Sequence, residues 1–149
     1  MYKHFLVPTD GSELSAKAVK AAIKLASALG ARMTAFYAMT PYPLHGGYAA
    51  EASVIDELQP KIYNRRNIEH AQKILLKVAR SAEKAGLKCA TSYTESSAPS
   101  DAIIEAAKKG KCDLIVMASH GRRGLAGVLL GSETQRVLTH SNIPVLVYR

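Results

Sequence analysis

Short runs with no polar side chain, set between stretches of helical period, constrain this chain more than any other feature. Leu114-Ile-Val-Met-Ala118 has no polar face. A strand of that kind belongs in a parallel sheet covered on both sides, because a strand with one wet face alternates. Phe5-Leu6-Val7 is a second such run and Pro144-Val-Leu-Val-Tyr148 a third. Arg32 to Met39 predicts another strand, and Leu87, Cys89, Thr91 and Tyr93 fall on the alternate positions of a further one.

Helices fill the intervals. From Leu14 the apolar side chains recur at Ala18, Ala21, Ala22, Leu25 and Leu29, and Gly30 suits the left-handed residue that closes a helix. Ile68, Ala71, Leu75, Val78, Ala79 and Ala82 share one helical face that Gly86 stops. Pro60, which has no amide to donate, predicts a break or kink near it. Pro99 belongs in the first turn of a helix carrying Ile103, Ile104, Ala106 and Ala107 and ending at Gly110. Ser132, with Gln135 three residues on, has the spacing of a capping box. Five strands alternating with helices give a single α/β domain, residues 1–149, doubly wound, with a five-stranded parallel sheet and helices on both faces.

Composition agrees with one folded domain. The chain has 149 residues, 48% hydrophobic and 21% charged, with no low-complexity tract or internal repeat. The beginning MYKHFLVPTD lacks the long apolar segment of a secretory signal, and no run is long enough to cross a membrane, so a cytoplasmic location is expected. Cys89 and Cys112 have no His or Cys at metal-ligand spacing and read as reduced, buried thiols. A net charge of +8 favours anionic partners. The cluster Lys61, Tyr63, Arg65 and Arg66 mixes basic and aromatic residues but lies in no nucleic-acid-binding motif, and it reads as a solvated helix face.

Ligands of an open α/β sheet bind beyond the carboxyl ends of the strands, where strand order reverses. The connection that follows the fourth strand there, ASHGRRGLAGVLLGSETQ, holds four glycines, two arginines and no acid before Glu133. Glycine lets a ligand approach the backbone, and the free amides of a helix that starts at Ser132 favour an anion such as phosphate. Neither the lysine-containing phosphate loop nor a GxGxxG after the first strand is present. The alternative is a connection whose glycines serve only turns, but one this long in a compact domain points to function.

Pro8-Thr9-Asp10-Gly11-Ser12, DLIVMASHG from Asp113, nine residues to Gly131-Ser132, and the closing NIPVLVYR together resemble the universal stress protein family, essentially end to end. The resemblance implies a sheet order of 3-2-1-4-5. Family members that bind ATP carry a glycine, two residues, a second glycine, nine residues, and a third glycine before Ser or Thr. Gly121, Gly131 and Ser132 match, and Ala118 stands where the first glycine would be. The extra methyl costs little in an ordinary strand and much at a positive φ.

The resemblance implies an adenine nucleotide site that holds ATP with Mg²⁺. Asp10 would face the nucleoside, or else serve only as a helix cap before Ser12. Pro8 and Thr9 would line the pocket, and Ala38 would offer its main chain to the base. Met117, Ala118, His120 and Gly121 would run past the ribose, although a loop histidine such as His120 also fits a solvated position. Arg122 and the amides of Gly131, Ser132, Glu133 and Thr134 would hold phosphates. Ser132 would both cap its helix and donate its hydroxyl, while Arg123 is left on either side.

No residue set pairs a nucleophile with a base and an orienting group. The expectation is therefore a stress-response module that binds nucleotide and signals by occupancy. Its alternatives are a slow nucleotide hydrolase and a family member that works through protein contacts without nucleotide. Pairing of the last strand, Val145 to Tyr148, with a second copy would give a homodimer, as the resemblance also implies; the segment TPYPLHGGY, read as an exposed loop, is the alternative cover for that edge.

Overall fold

A computed structural model describes residues 1–42, 54–121 and 130–149, with residues 54–58 described in backbone only. In chain order the elements are β1 (His4–Pro8), α1 (Glu13–Leu29), β2 (Arg32–Met39), α2 (Val54–Lys84), β3 (Cys89–Glu95), α3 (Pro99–Lys109), β4 (Leu114–Ala118), α4 (Ser132–His140) and β5 (Val145–Tyr148). The sheet is parallel throughout, in the order β3-β2-β1-β4-β5. Both the fold class and the strand order match the expectation. Segment 43–50, most of the predicted exposed loop, lies outside the described residues, as do Arg122 and Arg123.

The apolar strands are explained by the two layers they separate. Phe5, Val7, Leu114 and Val116 face α1 and α2, where Val19, Ala22, Leu75 and Val78 meet them. Their neighbours Leu6, Ile115 and Met117 face the other way, toward Ile103 and Ile104 of α3 and Val137 of α4. Consecutive strand residues point to opposite faces, so where both faces are covered, along Phe5 to Val7 and Leu114 to Ala118, every side chain is apolar. At the sheet edge β3 is exposed along most of its length, and Cys89 is accordingly only partly buried.

Local chemistry sets the element ends. The Ser12 hydroxyl accepts from the Ser15 amide at 3.2 Å and caps α1, and Gly30, at φ 63°, ends that helix. Asp113, just before β4, accepts from the Lys3 and His4 amides at 2.7 and 2.9 Å and fastens the start of β1.

Two expectations are corrected. Of the break or kink expected at Pro60, the break does not occur, because α2 runs as one 31-residue helix through it. The proline falls within the first two turns and removes a single intrahelical bond, while the rest of α2 is held by core packing of Ala71, Leu75, Val78 and Ala82. Ser132 does not cap α4 either. Gly131 occupies the cap position in an extended conformation, φ −69° and ψ 153°, and no side chain bonds there, so Ser132 is the first helical residue.

Candidate functional site

Order reverses between β1 and β4, and a cavity of about 740 Å³ opens there at the carboxyl ends of the strands. Pro8, Thr9 and Asp10 line it from the end of β1, Ala38 from β2, and Met117, Ala118, His120 and Gly121 from β4 and its exit. Gly131, Ser132, Glu133 and Thr134 at the start of α4 complete the wall. Every expected site residue within the described chain is therefore brought together, and Arg122 alone lies outside it.

The turn after β1 is rigidly held. The Thr9 amide donates to the Phe36 carbonyl at 2.9 Å, and its hydroxyl accepts from the Ser15 hydroxyl at 2.7 Å. Asp10 Oδ1 accepts from the Ser12 amide at 2.9 Å, an Asx turn that leads into α1, whose cap is Ser12 itself. The other carboxylate oxygen lies against Gly121, where any side chain would overlap it. Asp10 thus shapes the turn and still stands in the cavity wall.

At the other strand, the two ends of the glycine-rich connection are fastened together. The Ser119 amide donates to the Tyr148 carbonyl at 2.7 Å, and the Gly131 amide donates to the Ser119 carbonyl at 2.7 Å. A Cβ at Gly131 would lie 3.1 Å from His120 Cα, so glycine is needed here for close packing rather than for its dihedrals. The Thr134 hydroxyl, 2% exposed, donates to the Ala118 carbonyl at 3.0 Å and locks α4 onto the end of β4. Ala118 itself is a strand residue paired with Tyr148, and Lys111 is the one non-glycine residue with positive φ among those described. The methyl in place of the motif's first glycine is therefore accommodated without backbone strain. His120 Nδ1 lies 3.2 Å from the Ser119 hydroxyl, which holds the ring at the cavity.

Glu133 has a role that its sequence position concealed. Its carboxylate accepts from the Ser100 amide at 2.7 Å, in the first turn of α3. The residue before that helix is Ala98, which has no side-chain acceptor, so the cap comes from the neighbouring helix.

The opposite wall was not foreseen. Tyr37 and Thr40 from β2 and its exit, and Tyr63, Asn67 and His70 from α2, also line the cavity. The Thr40 carbonyl accepts from Asn67 Nδ2 at 2.8 Å and from the Tyr63 hydroxyl at 3.3 Å. Tyr42 meets the Tyr63 ring edge-on, centroids 5.2 Å apart, and Tyr37 meets His70 in the same way at 6.1 Å. Lys61, Arg65 and Arg66 are exposed as expected of a solvated face, but Tyr63 turns inward. The spacing of Tyr63, Asn67 and His70, roughly one turn apart, was the available signal.

Burial raises the Cys89 thiol and pushes that of Cys112 up to about 11, which leaves both inert as thiols near neutral pH. Among the described residues no three His, Cys, Asp or Glu side chains group as metal ligands, and no helix is long and apolar enough to cross a membrane.

Comparison with known proteins bears on this arrangement. The family model for the universal stress protein family matches residues 1–149. Universal stress protein MJ0531 of Methanocaldococcus jannaschii is 39% identical over 151 residues, covering 100% of this chain and 83% of that protein. The solved structure of MJ0577, a universal stress protein of the same organism, superimposes with a TM-score of 0.80 at 28% identity, covering 99% of this chain and 95% of the other. A universal stress protein solved in complex with cAMP superimposes with a TM-score of 0.68 at 29% identity, over 99% of this chain and 97% of its own. On the match to the whole sequence and on the shared fold, the chain belongs to the universal stress protein family.

Proposed function

We propose that this protein is a regulatory stress-response module that binds adenine nucleotide, ATP in its working form, and acts through occupancy rather than turnover. The observation that carries the reading is the cavity of about 740 Å³ at the β1/β4 switch point, within the range that encloses a nucleotide-sized ligand. Its lining combines a carboxylate, Asp10, with the N-terminus of α4. Asp10 accepts the ribose hydroxyls, since it stands beside Gly121 at the exit of β4. The amides at the start of α4 and the exposed Ser132 hydroxyl receive the phosphates, where the helix dipole favours negative charge. Tyr37 and Tyr63 give the base an aromatic wall. That a relative with 29% identity was solved with cAMP supports an adenine nucleotide in this place.

A divalent cation fits only as a companion of the ligand. Among the described residues the carboxylates at the cavity are Asp10 and Glu133, and Glu133 is engaged with α3. Mg²⁺ would therefore be held by ATP phosphates and water, its usual manner with nucleotides, and would supply charge neutralisation there. Among the described residues the hydroxyl paired with a base, Ser119 with His120 at 3.2 Å, is buried and does not line the cavity, and the reading therefore expects slow hydrolysis at most. The reading places the protein in the cytoplasm, where ATP is available.

Thermal unfolding with and without MgATP tests the proposal. A ligand that binds only the folded state adds about 2.7 kcal/mol of stability at a hundredfold excess over its dissociation constant. A raised melting temperature with negligible phosphate release supports the module, and no shift at millimolar MgATP removes the nucleotide. Asp10→Ala should weaken nucleoside binding, and unchanged affinity would confine Asp10 to shaping its turn.

A further inference from the structure

Beside the nucleotide cavity lies a second recess of about 280 Å³, lined by Asp10, Gly11, His70, Lys73, Ile74 and Lys77. The two cavities meet at Asp10 and His70, and the recess draws no residue from α3 or α4. Its floor is apolar and closely built. Gly11, at φ +77°, presents its bare α-carbon to Ile74, whose Cδ1 would lie 2.7 Å from any added Cβ. The wall is cationic. Lys73 and Lys77 stand one helical turn apart on the same face of α2, and the salt bridges among the described residues, Lys17–Glu13 and Lys109–Glu105, involve neither. Two like charges at this spacing repel each other, and an anion between them relieves the repulsion.

We infer that the recess is an anion subsite that receives a second phosphate carried on the ribose, so that the protein prefers adenosine bisphosphates, with one phosphate at the 5′ position and another at 2′ or 3′. The inference rests on the nucleotide reading above. There, Asp10 takes the ribose hydroxyls while the 5′ phosphates lie at α4. A group attached to one of those hydroxyls extends past Asp10, away from α4, to Lys73 and Lys77. Asp10 is the one carboxylate of the recess among the described residues, and it stays hydrogen-bonded to the Ser12 amide at 2.9 Å. The two lysines outnumber it, so the recess remains net cationic.

Isothermal titration calorimetry of AMP, adenosine 3′,5′-bisphosphate and adenosine 2′,5′-bisphosphate tests this, on the wild type and on the Lys73→Gln/Lys77→Gln variant. Both changes lie on an exposed helix face and leave the core untouched. The wild type should bind at least one bisphosphate about tenfold more tightly than AMP, equivalent to about 1.4 kcal/mol. The double variant should lose that preference and keep its affinity for AMP. A gain with one isomer only identifies the hydroxyl that points into the recess. Bisphosphates bound no better than AMP overturn the inference and leave the nucleotide reading standing, as does a preference that survives the double variant. Failure of every adenine nucleotide to bind overturns the reading itself and the inference with it.

Discussion

Restoring glycine at position 118 tests whether the departure from the family motif matters. Ala118 is 8% exposed, ends β4 and pairs with Tyr148, and its carbonyl accepts from the Thr134 hydroxyl at 3.0 Å. Ala118→Gly removes a buried methyl worth about 0.8 kcal/mol. It also loosens the unfolded chain, at a further 0.5 to 1 kcal/mol, roughly, for glycine within a strand. The sum, roughly 1.5 kcal/mol, should lower the melting temperature by about 3 to 6 °C in a chain of this length. Since the native backbone there is an ordinary strand, nucleotide affinity should change by less than about twofold, under about 0.4 kcal/mol. Differential scanning calorimetry gives the first quantity and calorimetric titration with MgATP the second. A variant that binds ATP tenfold more tightly than the wild type would refute the reasoning, because the methyl would then obstruct the ligand.

Three further outcomes follow from the same geometry. Gly131→Val pushes side-chain carbon into the His120 backbone, 3.1 Å from the first added atom, and should cost about 1 to 3 kcal/mol of overpacking and abolish the MgATP shift; a variant that keeps both its melting temperature and the shift would show that the connection's ends need not touch. Burial, reinforced by Arg32, lowers the His4 pKa below 6.5, so the unfolded chain takes up a proton that the folded chain resists, and this stability, present above pH 6.5, is lost as pH falls below it. His4→Gln should flatten the decline in melting temperature as pH falls below about 6.5, and an unchanged slope would assign the decline to other groups. The Pro144 and Tyr148 carbonyls accept from the amides of Ile115 in β4 and of Ser119 just after it, so by alternation the Val145 and Val147 amides face the open edge of the sheet. Light scattering should therefore find a wild-type dimer that Val147→Pro converts to a folded monomer, and a wild-type monomer at micromolar concentration would remove this mode of assembly.

The strands were legible because covered sheets leave a coarse mark: Leu6 and Val7 must both be apolar when each faces its own layer of helices, whereas the strand order came from the family resemblance and not from this pattern. The family resemblance located the β1 side of the cavity, and motif spacing the β4 side, since a connection that returns to its own starting point requires glycine where Gly131 meets His120. The α2 wall left only the one-turn spacing of its residues as a signal, too weak to single them out. Tyr63, Asn67 and His70 are polar residues on a long polar helix, and facing a cavity requires the same composition as facing water. Nor does sequence expose the Glu133 cap on α3, which joins residues 33 positions apart on two different helices. Ser132 misled because its spacing to Gln135 fits a capping box, whereas the boundary was set by the packing of Gly131.

The central position of β1 has a consequence for how the protein is made. One side of this strand is completed early, by β2 at residues 32–36, but its other partner is β4, and Asp113, which fastens His4, follows it by 109 residues. At elongation rates of about 5 to 20 residues per second, the β4-facing side of β1 stays without its partner for roughly 5 to 20 s of synthesis. Phe5, Leu6 and Val7, each fully buried in the finished molecule, lie along that open edge. A nascent chain stalled before residue 113 therefore offers an apolar, hydrogen-bond-hungry strand to chaperones and to other nascent chains, and the domain closes only as its last quarter leaves the ribosome.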